Sequence, residues 1–141
     1  MLLLIIPCSF GKLWSHQIRN ETFSSDEEMK LEDHIGDFRS AVLDGRRKYE
    51  KTFKDRPIPA LDRYNGMLYR TDASLRETVG TAIRRCAVQV VILSGGYGAV
   101  TASQRIQWYN QRFEFDHWLK RKLPEALSRF ANGLQPDNVL G

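Results

Sequence analysis

Two nearly uninterrupted apolar runs constrain this chain more than any other feature. Residues 2–6 read Leu-Leu-Leu-Ile-Ile, and residues 88–93 read Val-Gln-Val-Val-Ile-Leu. A strand with one wet face alternates apolar and polar residues. A run without that alternation belongs to a strand covered on both faces, as in the parallel sheet of a layered α/β domain. Neither run approaches the ~18 apolar residues of a membrane span. Both end abruptly, the first at Pro7 and the second at Ser94-Gly95-Gly96-Tyr97-Gly98. Ligands of such sheets bind beyond the carboxyl ends of the strands. Loops 7–12 and 94–98 are therefore expected to build the working face.

The segments between these runs read mainly as helices. Ser24, Ser25 and Asp26 are N-cap candidates, and Met29, Ile35, Phe38, Val42 and Tyr49 recur at roughly helical spacing, which predicts a helix over 26–52 with a kink at Gly36 or Gly45. Its acidic first half and basic second half suit the helix dipole, so a solvated face accounts for most of these charges. Asn65-Gly66 is a turn signal. Asp72 caps a helix over 73–86. Residues 99–112 read as a loop, and 113–131 as a last helix kinked or split at Pro124 and closed by Gly133. The prediction is a single α/β domain over 1–133, with a small, mostly parallel sheet flanked by helices, and a frayed tail over 134–141.

Charge and cysteines narrow the function classes. A net charge of +4 permits nucleic-acid contacts without requiring them. Residues 1–8 lack the basic start and long apolar core of a signal peptide. Cys8 and Cys86 fit no metal spacing, and a reduced cytoplasmic compartment is the expectation. His16, His34 and His117 are scattered, so neither a metal nor a cofactor is expected.

The two loops carry the candidate chemistry. Gly95, Gly96 and Gly98 lack Cβ atoms, and backbone N–H groups around them could converge on a phosphate with Ser94, while Tyr97 offers a face for stacking on a base. The spacing is neither that of a P-loop nor that of a dinucleotide fingerprint, and a tight turn with Tyr97 packed inward is the alternative. The first loop, Pro7-Cys8-Ser9-Phe10-Gly11-Lys12, sets a thiol, a hydroxyl and an amine close together, with His16 just beyond. Cys8 is a candidate nucleophile and Lys12 a candidate reactive amine or phosphate-binding charge. A buried structural cysteine is the alternative.

Three segments together resemble the YaaA peroxide-stress family. Leu3-Leu4-Ile5-Ile6-Pro7-Cys8-Ser9 is similar to its strand and first loop. Tyr64-Asn65-Gly66-Met67-Leu68-Tyr69 is similar to its Phe-Asn-Gly segment. Ile92-Leu93-Ser94-Gly95-Gly96-Tyr97-Gly98 is similar to its Leu-Ser-Gly-Leu-Tyr-Gly segment. The order and approximate spacing agree over most of the chain. Thr101-Ala102-Ser103-Gln104 stands where the family has Arg-Pro-Leu-Asp, and Asn110 where it has Arg. Cys8-x-x-x-Lys12 followed by Trp14 is also similar, more weakly, to the core motif of archaeosine synthase, which acts on a modified guanine base in transfer RNA.

The YaaA resemblance implies a cytoplasmic protein of the oxidative-stress response that binds DNA in a basic cleft. Arg63, Arg70, Arg105, Arg112, Lys120 and Arg121 are the candidate nucleic-acid contacts, and Ser9, Asn65, Gly66 and Tyr69 join the glycine loop as candidate ligand contacts. The other expectation is an enzyme acting on a nucleotide or nucleobase, by base modification or glycosyl transfer, through Cys8 and Lys12. The missing family charges at 101–110 weigh against unchanged catalysis, and the retained Cys8 and Lys12 weigh for it.

Overall fold

The computed structural model describes residues 1–8, 11–64, 73–134 and 138–140. The two apolar runs form strands β1 (Leu2–Pro7) and β3 (Val88–Ser94), which lie side by side and parallel, Leu2 opposite Val88 and Pro7 opposite Leu93. Successive residues feed opposite sides of the sheet. Leu3 and Val91 enter one apolar core, while Val90 and Ile92 enter the other, against Phe23, Ile106 and Tyr109. Burial on both faces is what the unbroken apolar pattern requires.

The sheet gains an antiparallel strand on one side, β4 (Gly98–Thr101), and a parallel strand on the other, β6 (Asn138–Leu140), in the order β4-β3-β1-β6. A second, two-stranded antiparallel sheet pairs β2 (Lys54–Pro59) with β5 (Arg105–Trp108), with an irregularity between Lys54 and Ile58. The helices are α1 (Arg39–Arg47), the single turn α2 (Ala60–Arg63), α3 (Ala73–Arg84), α4 (Phe115–Lys120) and α5 (Leu123–Leu134). The mixed α/β architecture matches the sequence expectation. No helix among the described residues is long and apolar enough to cross a membrane.

Several local expectations are corrected. The helix predicted over 26–52 is mostly 3-10 turns, Ser25–Glu27, Leu31–His34 and Gly36–Phe38, before the regular α1 begins. The reason is tertiary. Met29 N–H donates to Ser103 Oγ at 3.0 Å, Leu31 N–H donates to Gln104 Oε1 at 3.0 Å, and the Thr101 hydroxyl donates to the Met29 carbonyl. Residues 101–104 thus take up backbone groups that a helix would have paired within itself. Residues 101–104 are therefore built into this fold as a clamp.

The loop predicted over 99–112 holds β4 and β5, while the last helix splits, as one of the two expectations had it, with the break at Lys122, whose φ is 62°. Gly133 does not end the final helix, which runs to Leu134. The tail predicted to fray supplies β6, paired with Leu2, Leu3 and Leu4. Its apolar Val139-Leu140 pair was the available signal.

Candidate functional site

Where β1 ends, the chain stays against β3 for one residue more, because Cys8 N–H donates to the Leu93 carbonyl at 2.8 Å. That bond holds the half-buried thiol at the carboxyl end of the sheet. Four residues on, Lys12 forms an antiparallel bridge with Tyr64, and Leu13 N–H donates to the Arg63 carbonyl at 2.7 Å. The Lys12 ammonium lies 4.4 Å from the centre of the Tyr109 ring. Burial lowers the proton affinity of this amine, opposed in part by its electrostatic interaction with Cys8.

Behind this pair lies a buried chain of hydroxyls. Tyr64 Oη and Tyr109 Oη are 2.7 Å apart, and Tyr109 Oη is 2.7 Å from Ser94 Oγ. Burial is the main reason that both phenols hold their protons beyond the ordinary tyrosine range, and the neighbouring Cys8 adds to it. In front lies a cavity of about 240 Å³ lined by Pro7, Cys8, Lys12, Leu93, Gln111 and Phe113, with exposed Arg112 at its edge. It is smaller than the ~300–1,000 Å³ common for ligand pockets, a size that suits one small ring system.

Ser94 and the three glycines stand beside this cavity, packed by protein. A Cβ on Gly95 would lie 1.9 Å from the Gln111 carbonyl oxygen, and one on Gly98, whose φ is +80°, would meet the Trp118 ring at 2.7 Å. The Tyr97 ring stacks on Phe53 at 4.6 Å, and its hydroxyl accepts from Gln107 N–H at 3.0 Å. Tyr97 N–H donates to Ser94 Oγ at 3.1 Å. The inward-packed turn weighed in the sequence is the arrangement present. Its carbonyls are held by Arg46, which donates to Tyr97 O and Ala99 O and pairs with Glu32 at 2.9 Å, both side chains buried. Sequence reasoning missed this pair because each residue fell on a helix read as solvated.

The basic candidates separate. Arg63 is corrected from a surface contact to a core residue, fully buried and ion-paired with Asp55 at 2.8 Å, with further donation to the carbonyls of Leu13, Arg56 and Ile106. Arg105 pairs with Glu21 at 2.6 Å, and its backbone N–H donates to Glu28. Arg121 pairs with Asp44 at 3.2 Å beside a separate open groove of about 620 Å³ that also includes Arg39 and Arg47. Lys120 is exposed on α4. Trp108 stacks on Trp14 at 4.5 Å. Ser9, Asn65, Gly66, Tyr69 and Arg70 lie outside the described residues.

The structure therefore unites Cys8, Lys12 and Arg112 around one cavity, with Ser94 behind it. It adds Tyr109, Gln111 and Phe113, which the sequence presented only as parts of a loop. No group of three or more histidine, cysteine or acidic residues suited to a metal ion occurs among the described residues. No protein-family model, curated protein or solved structure matches the chain.

Proposed function

We propose that this chain is an enzyme acting on a nucleobase or nucleotide, by base modification or glycosyl transfer, with Cys8 and Lys12 as the reacting groups. The observation that carries this reading is a thiol and a partly desolvated amine sharing one small cavity between the apolar walls of Leu93 and Phe113. Apolar walls suit a heterocycle, an amine with lowered proton affinity gives up its proton more readily than an exposed lysine, and Arg112 at the edge suits a phosphate. Binding of guanine, adenine and their nucleosides, followed by NMR, is the direct test. Binding lost in Lys12→Met supports the reading, and no binding of any base or nucleoside ends it.

The same variant probes the cost of placing Lys12 there. Methionine keeps the aliphatic stem over Tyr109 and removes the charge. The lost ring contact is worth ~0.5–1 kcal/mol, less than the desolvation relieved. Stability at pH 7 is expected to rise by about 1 kcal/mol while binding falls, the usual mark of a site kept for function. Folded Lys12 binds its proton less tightly than unfolded Lys12. Wild-type stability should therefore climb with pH from the folded pKa up to about 10.5, and that slope should flatten in the variant. Urea titrations across pH measure both effects, and a stability loss in Lys12→Met would contradict them.

A second reading, DNA binding in an oxidative-stress role, is favoured by one observation. The groove is lined by Arg39, Arg47 and Arg121 with Asp44, which pairs with the last two, while Arg39 pairs with Asp33 at 3.7 Å. Together with exposed Lys120 it could track a phosphate backbone. The double change Lys120→Glu/Arg121→Glu should weaken duplex binding and reduce its salt dependence by about two counterions. Unchanged affinity and slope would remove this surface from consideration.

A further inference from the structure

The cavity beside Lys12 has a neighbour across its apolar wall. Leu93 and Phe113, which close it on that side, also line a second cavity of about 140 Å³. Trp118 and Leu119 of α4 and Leu123 and Leu127 of α5 form most of the rest of this second space. Every described side chain along it is apolar apart from the indole N–H of Trp118, and that N–H donates to the Gly95 carbonyl at 3.4 Å. A peptide backbone laid there would lose its hydrogen bonds to water and gain none, whereas a hydrocarbon chain has none to lose. The charge lies at the other end. Lys12 and Arg112 line the first cavity, and no carboxylate lines either space among the described residues. Glu114, the acid nearest to Arg112 along the chain, accepts from Tyr49 Oη at 2.6 Å and pairs with Lys48 at 3.3 Å.

We infer that the two spaces form one site for a free, single-chain amphiphilic anion, with its carboxylate at Lys12 and Arg112 and its hydrocarbon tail over Phe113 into the groove between α4 and α5. Charge complementarity selects the head, and the apolar lining selects the tail. The tail also has a reason to reach the far rim. Phe115 and Leu119 line the second space and are 66% and 43% exposed, two of the large apolar side chains this fold leaves in water. A chain lying against them takes that surface out of water. No bond is made or broken in such binding. It goes beyond the nucleobase reading and does not depend on it, and the two ligands share only the Lys12 end.

Isothermal titration with straight-chain carboxylates, kept below their micelle concentrations, tests the site. From hexanoate to decanoate, affinity should rise about fourfold with each added methylene as the tail leaves water. 1-Decanol and decyltrimethylammonium share the tail and lack the negative head, and each should bind about tenfold more weakly than decanoate. Leu119→Asp puts a charge on the exposed rim and should weaken decanoate about tenfold or more. Lys12→Met should weaken decanoate about tenfold while leaving 1-decanol unchanged, and it serves if Leu119→Asp does not fold. Affinity independent of chain length, 1-decanol or the cation binding as well as decanoate, or decanoate affinity unmoved in the folded variants overturns the inference. Absence of decanoate binding overturns it too. Binding to phosphatidylglycerol vesicles alone would then make the groove a membrane contact, and a dimer that Leu119→Asp dissociates in sedimentation would make it a contact between copies. Titration with guanine and adenosine separates the two ideas. Decanoate bound with neither of them bound keeps the inference and rejects the nucleobase reading, and a bound base without decanoate binding does the reverse.

Discussion

Asp55→Ala is expected to destabilise the protein by about 3–5 kcal/mol, the range for removing one partner of a buried ion pair. Arg63 is wholly buried and its charge stays when the carboxylate goes. Its remaining partners, the carbonyls of Leu13, Arg56 and Ile106, carry only dipoles. The carboxylate also accepts from the backbone and the hydroxyl of Ser15, each at 2.6 Å. The same loss therefore releases the segment that carries Lys12. Asp55 sits at φ 72°, a left-handed conformation that asparagine tolerates and alanine resists. Asp55→Asn separates the two contributions, since it keeps the backbone preference and removes the charge. Urea unfolding at pH 7 should rank wild type above Asp55→Asn and that above Asp55→Ala. A loss below about 1 kcal/mol in Asp55→Ala would show that Arg63 has found water or another anion.

The same carboxylate governs the acid limb of stability. Burial raises its proton affinity, but the Arg63 guanidinium, the Ser15 hydroxyl and the N–H groups of Ser15 and Arg56 outweigh that and hold Asp55 well below the usual carboxylate range. With the folded pKa depressed, the stabilisation is complete above the unfolded value near ~3.9. It is lost as pH falls below that value toward the folded one. Asp55→Asn should remove this part of the acid slope.

The parts of the fold legible in the sequence are those set by local pattern. Residues 2–6 and 88–93 could only be strands covered on both faces, and the turn after each could only place its residues at the end of the sheet. That was enough to find Cys8, Lys12 and the glycine loop. What stayed hidden depends on partners distant in sequence. The 26–52 periodicity is real, but the hydrogen-bonding capacity of 101–104 overrides it. Arg63, Arg46 and Arg105 read as surface charge because nothing local shows that Asp55, Glu32 and Glu21 wait for them across the fold. Tyr109 had no sequence signal beyond being aromatic, and its importance comes from the three hydroxyls that meet there.

Gly95→Ala should be as damaging as Asp55→Ala, for a steric reason. The new methyl would lie 1.9 Å from the Gln111 carbonyl oxygen and 2.9 Å from the Arg112 carbonyl carbon. Those are backbone atoms, so no rotamer change relieves the clash, and residues 109–113 must move as a unit. Overpacking usually costs ~1–3 kcal/mol, and rigid backbone on one side pushes the expected loss to the top of that range or beyond. The displaced segment carries Tyr109 at one end and the cavity wall of Gln111 and Phe113 at the other. The change should therefore also displace the Tyr109 ring from the Lys12 ammonium, which lies 4.4 Å from its centre. Gly133→Ala is the control. It lies inside α5 with nothing within 4 Å of its new methyl, and alanine there should stabilise by about 0.5–1 kcal/mol. If Gly95→Ala proved as harmless as Gly133→Ala in thermal unfolding, the glycine loop would not be pressed against residues 111–112. Ser94-Gly95-Gly96 would then be free to serve a ligand directly. The predicted loss instead makes Gly95 the reason the chain can bring Gln111 and Phe113 close enough to Cys8 to form a cavity at all.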